Sequence, residues 1–150
     1  MRSPESVWDY PRPPAVEPTS ARIRIEFAGA TVADSTRSIR ILETSHPPVY
    51  YLPLQDIDVG VLQPNRRTTF CEFKGAAHYY DIVVGDRVAR AAAWFYPAPS
   101  DGYEQIKDCV AFYPGKVDQC WVDDDPVEPQ PGSFYGGWVT PEISGPFKRG

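Results

Sequence analysis

A thiol, an amine and an imidazole crowd one stretch of the chain, Thr68-Thr69-Phe70-Cys71-Glu72-Phe73-Lys74-Gly75-Ala76-Ala77-His78-Tyr79-Tyr80. A cysteine beside a cationic group can ionise and act as a nucleophile. Lys74 could hold an anionic ligand or form an imine, and Cys71 could be the pocket thiol whose pKa it lowers. The same residues have plainer uses: a cysteine packs as a small hydrophobe, and a turn lysine is solvated. His46 and His78 are the only imidazoles, so a general base of that type must be one of them. His46 precedes two prolines, where it reads equally as a turn cap. Asp56-Ile57-Asp58 has the D-x-D spacing with which nucleotidyltransferases grip magnesium, without the Gly-Ser turn and third acid that chemistry also uses. Cys71, Lys74 and Asp56 are therefore the catalytic candidates. No G-x-S-x-G, H-E-x-x-H or P-loop pattern is present, and no motif names a cofactor.

Strands must position these groups. Apolar and polar residues alternate across Arg67–Phe73, a Lys74-Gly75 turn follows, and His78–Val84 returns. Gly85-Asp86 then turns the chain into 87–96. Period two places Thr69, Cys71 and Phe73 on one face of the first strand. His78, Tyr80 and Ile82 share a face of the second, and Ala92, Trp94 and Tyr96 a face of the third. If those faces converge, Cys71 lies among Tyr80, Trp94 and Tyr96. The predicted ligand-binding set is Tyr51, Asp56, Cys71, Lys74, Tyr80, Trp94 and Tyr96. Its aromatics could cage a flat or cationic small molecule, or could be ordinary core of a small β domain.

The rest of the chain reads as short hairpins. Ile23, Ile25 and Phe27 alternate with Arg22, Arg24 and Glu26, 38–43 alternates again, and 49–52 reads as a further strand. A capping-box spacing, Asp101 to Glu104, predicts one short helix over 100–107. Residues 1–20 are rich in proline and read as an extended arm. Trp8 and Tyr10 imply that it docks on the body, 21–122, while 123–150 forms a Pro/Gly-rich tail. With 150 residues, net charge −5, 13% aromatics and 17 prolines, one mainly β domain is expected. The acidic balance argues against nucleic-acid binding. Three cysteines without a C-x-x-C pair, no apolar leader and no run of about 20 apolar residues point to a reduced, cytoplasmic protein outside the membrane.

Particular runs resemble the DUF427 family. They are Asp34-Ser35-Thr36-Arg37, Leu42-Glu43-Thr44-Ser45-His46-Pro47-Pro48-Val49-Tyr50-Tyr51, Cys71-Glu72-Phe73-Lys74-Gly75, Ala93-Trp94-Phe95-Tyr96-Pro97 and Val110-Ala111-Phe112-Tyr113-Pro114. Ser6-Val7-Trp8-Asp9-Tyr10-Pro11 and Gly136-Gly137-Trp138-Val139-Thr140-Pro141 extend the likeness to both ends. The resemblance implies a β-tent, or Mss4-like, fold: two small antiparallel sheets leaning together over an aromatic pocket. Zinc-bearing relatives in that wider group use two C-x-x-C pairs, which this chain lacks, so no metal site is expected. The family also carries a nucleotidyltransferase label.

The leading expectation is small-molecule binding around the Cys71-Glu72-Phe73-Lys74-Gly75 hairpin, with Asp56 and Lys74 fixing polar ends of the ligand. The second is an enzyme, using either Asp56 with magnesium or a Cys71 thiolate. The third is a dimerisation or docking module built on Trp8, Tyr10, Phe134 and Trp138.

Overall fold

The computed structural model describes residues 2–132 and 134–149. Its centre is a seven-stranded antiparallel sheet, ordered Ala15–Pro18, Ile39–Leu42, Val49–Pro53, Cys109–Phe112, Arg87–Phe95, Gly75–Val84 and Leu62–Cys71. A second antiparallel sheet of four strands runs Asp125–Pro126, Gln119–Val122, Ile23–Phe27 and Ala30–Ser35. The protein is mainly β, as the alternating pattern predicts.

Alternation decides which sheet face each residue meets. Ile23, Ile25 and Phe27 turn one apolar edge of the small sheet onto Tyr50, Leu52, Val110 and Phe112 of the large one. Trp138 closes that core: it is fully buried, its ring lies 5.0 Å from Tyr50, and its indole N–H donates to the Phe112 carbonyl at 3.1 Å. The indole thus buries a large apolar surface and leaves no polar atom unpaired. Residues one step out of phase, Ile41, Tyr51, Tyr79, Trp94 and Ala111, face the opposite side of the large sheet and form a separate aromatic cluster. The aromatic pocket belongs to that outer face.

The helix expected over 100–107 is a single 3-10 turn, Glu104–Ile106. Asp101 does not cap it. The Glu104 carboxylate instead accepts the Gly102 N–H at 2.8 Å, which closes a local turn and competes with helix propagation. Residues 53–61 resolve into two 3-10 turns, Leu54–Asp56 and Val59–Val61. The proline-rich arm is knitted into the body: Glu5–Ser6 pairs with Ile143–Ser144, and Ala15–Pro18 becomes an edge strand. Arg40, buried on the sheet, binds Glu5 and Glu17 and so ties the arm down through charge as well.

One irregularity matters for the site. Between Tyr80 and Ile82 the ladder with Arg87–Phe95 shifts, and Ala91 adopts a positive φ of 48°. The Asp81 carboxylate accepts the Ala91 N–H at 2.7 Å, and the Lys116 ammonium donates to the Ala91 carbonyl at 3.2 Å. The bulge therefore loses ladder bonds without leaving buried groups unpaired.

Candidate functional site

On the outer face of the large sheet lies a cavity of about 400 Å³, within the size range of small-molecule sites. Tyr51, Cys71, Lys74, Trp94 and Tyr96 from the predicted set line it, together with Tyr79 and Tyr113. Asp56 and Tyr80 do not.

Tyr80 is displaced by hairpin register. The two-residue Gly85-Asp86 turn pairs Val84 with Arg87, so even positions on one strand meet odd positions on the next. Trp94 is therefore opposite Tyr79, whereas Tyr80 is opposite Ala93 and stacks on Phe95 at 4.6 Å on the core side. Turn length and parity together are the signal that identifies Tyr79.

Asp56 is engaged elsewhere. Arg37 grips it in a bidentate pair at 2.9 and 2.8 Å, and Ser35 donates to it at 2.7 Å. The guanidinium, foremost, holds the carboxyl below its ordinary range. Asp58 accepts the Gly60 N–H at 3.1 Å and caps the following turn. Both acids of the D-x-D spacing thus have local work. Among the described residues, no three His, Cys, Asp or Glu side chains gather as a metal site would require.

The pocket floor is aromatic. Trp94 packs on Tyr113 at 4.5 Å and meets Tyr51 edge-on at 6.3 Å, its indole N–H donating to the Tyr51 hydroxyl at 3.2 Å. Burial holds the Tyr51 and Tyr96 phenols protonated far above neutral pH. Lys74 is only 8% exposed. Its backbone carbonyl accepts the Ser100 N–H at 2.9 Å, which pins the turn, and its Nζ stands 5.9 Å over the Tyr96 ring. Among the described residues no carboxylate or carbonyl pairs with that ammonium. The plainer reading of Lys74 as a solvated turn lysine gives way to a largely buried side chain that lines the cavity.

His46 is wired as a donor. The Gly137 N–H donates to Gln130 Oε1 at 3.0 Å, so Gln130 Nε2 faces the Lys148 carbonyl at 2.7 Å and His46 Nδ1 at 3.1 Å. Gln130 spends both amide protons there, His46 Nδ1 accepts one, and the imidazole proton belongs on Nε2. Burial, the largest influence, lowers the His46 pKa from its ordinary 6.5, and the ring is neutral at pH 7. With Nδ1 occupied and Nε2 protonated, it has no lone pair with which to take a proton. His78 is exposed on the core-side strand face and pairs with Phe95, outside the cavity.

Cys71 is the half-buried thiol of the three. Cys109 and Cys120 are buried, and burial raises the Cys109 pKa to about 11. The mouth carries Arg12, which pairs with Glu43 at 3.4 Å, and the exposed Glu72 and Lys148. Exposed Phe70 and Phe134 flank it.

A family model described as a domain of unknown function, DUF427, matches residues 15–123. The chain belongs to the DUF427 family. No curated protein matches it. The matched span supplies the aromatic floor, Cys71 and Lys74. Arg12, Gln130, Tyr135, Gly136 and Lys148 lie outside it, so this DUF427 protein completes its pocket with its own flanking segments. Of the residues considered for a docking module, Tyr10 and Trp138 are buried, and Trp8 and Phe134 are exposed at 54% and 49%.

Proposed function

We propose that this DUF427 protein binds a small, flat molecule in the aromatic pocket on the outer face of its large sheet. The observation that carries the reading is the largely buried Lys74 side chain, which lines the cavity beside the aromatic floor with no protein acceptor for its ammonium among the described residues. An ammonium without a protein acceptor, set in the wall of an aromatic cavity, is a ready partner for an anionic group on a ligand. Binding is favoured over catalysis because the candidate base and acid are committed: His46 donates, and Asp56 is held by Arg37 away from the cavity. The β-tent relationship belongs to the same reading, supported by two antiparallel sheets that share one core. So does a cytoplasmic location, supported by three unpaired thiols. Among the described residues no helix is long and apolar enough to cross a membrane.

A thermal-shift screen of nucleotides, amino acids, cofactors and aromatic acids, with and without magnesium, tests the proposal. Ligand that prefers the folded state raises the melting point by mass action. The expected result is a hit that weakens in Lys74→Met and Trp94→Phe and survives in Asp56→Asn. A magnesium-dependent nucleotide hit lost in Asp56→Asn would replace the reading with nucleotidyl transfer.

A further inference from the structure

We infer that the ligand of this pocket is an aromatic monocarboxylate, its ring on the Trp94–Tyr113 side and its carboxylate on Lys74. The inference rests on the small-molecule reading and adds the chemical class.

The class follows from a tally of unspent hydrogen-bonding capacity inside the cavity. Lys74 has three N–H donors and no acceptor. Tyr51 accepts from Trp94 and retains its own hydroxyl proton for another acceptor. Tyr96 is a neutral phenol whose hydroxyl is already engaged with that of Tyr51, and His46 carries its proton on Nε2. Lys74, Tyr51 and His46 therefore leave donors unspent, and a ligand end that only accepts would meet them. A carboxylate is such a group, with two oxygens and about four lone-pair directions. A cationic ligand would instead meet the Lys74 ammonium, so the cation-cage expectation gives way to its opposite.

Charge number separates a carboxylate from a phosphate chain. Among the described lining residues, Lys74 is the one cationic residue whose side chain is largely buried. Arg12 and Lys148 stand exposed at the mouth, Arg12 already beside Glu43, and Glu72 adds a negative charge there. One interior positive charge balances one negative charge. A triphosphate would carry several uncompensated charges past two carboxylates into an aromatic pocket. The walls select the other end of the ligand: Trp94, Tyr113 and Tyr51 are mutually fixed rings that favour stacking of a planar system.

The test uses four probes on the full chain by isothermal titration: 2-naphthoate, its neutral amide 2-naphthamide, 2-naphthyl phosphate, and ATP with magnesium. The expected order places 2-naphthoate first, about tenfold or more tighter than 2-naphthamide, as a lost charge-assisted bond would give. Lys74→Met, checked for an intact melting transition, should bring the two to the same affinity. The comparison between the acid and the amide needs no variant, so it stands even if Lys74→Met fails to fold. Equal affinities in the unaltered protein, or no binding of 2-naphthoate at millimolar concentration, overturn the class. Tighter binding of 2-naphthyl phosphate or ATP also overturns it, in favour of a polyanion. If the carboxylate fails while a different compound from the thermal-shift screen still depends on Trp94, the pocket survives and its assigned ligand does not. If every compound fails in both experiments, the pocket reading falls as well.

Discussion

Gly136 lies against Trp94 so closely that a Cβ at position 136 would stand 2.5 Å from the indole Cη2 and 3.1 Å from Tyr113 Cδ1. The C-terminal segment and the pocket floor are therefore one packed unit. Tyr113 strengthens the seam by donating its hydroxyl to the Phe134 carbonyl at 3.0 Å.

Gly136→Ala should push the segment off Trp94, because neither ring can yield that distance without leaving its packing. Overpacking of this kind costs about 1–3 kcal/mol. The melting temperature should drop accordingly, and affinity for any pocket ligand should fall with it. Chemical denaturation and titration of the same variant check both. Unchanged stability with unchanged affinity would show that the segment does not define the pocket wall.

Stability should also depend on pH in a way assignable to His46. Its folded pKa is lowered by burial from an ordinary 6.5, with Arg12, Lys148 and Lys74 pushing the same way and Glu43 opposing them. As pH falls through about 6.5, the unfolded chain takes up a proton that the folded chain resists. Stability is then lost toward acid, by at most about 1.4 kcal/mol per pH unit for one group. The paired carboxylates Glu5 and Glu142, whose pKa values are lowered from 4.5, respond nearer to that value and so in a separate window. Urea midpoints between pH 7.5 and 5.5 should decline for the natural chain and flatten in His46→Gln. An identical slope in both would refute the assignment.

The legible part of this molecule is what alternation controls. Ile23, Ile25 and Phe27 declared a buried face, and Cys71 with Thr69 declared the pocket side of its strand. Tyr79 was readable too, since a two-residue turn at Gly85-Asp86 fixes pairing parity, but parity had to be combined with turn length to reject Tyr80. Asp56 was illegible because its partner Arg37 reaches it through the fold; a D-x-D spacing carries no record of an ion pair with a residue on another loop. Lys74 was illegible for a related reason. Its burial arises when the chain returns at Ser100 and when the flanking segments close around the pocket, and both are tertiary events. The same holds for His46, whose tautomer is decided by Gln130 and Gly137 far along the chain.

Cys71 provides the most direct probe of whether the pocket is reachable. It is half-buried and lines the cavity, whereas Cys109 and Cys120 are shielded, and burial raises the pKa of both thiols. Thiolate is the reacting form, so N-ethylmaleimide should modify Cys71 first in the native protein. Peptide mapping after brief labelling should find one modified site, and 2-naphthoate at saturating concentration should slow it. The adduct itself adds bulk to the cavity wall, so labelled protein should lose ligand binding while keeping its melting transition. Labelling of Cys109 at a comparable rate would mean that the outer face opens as a whole, and that the aromatic floor is not the fixed surface on which a planar ligand could stack.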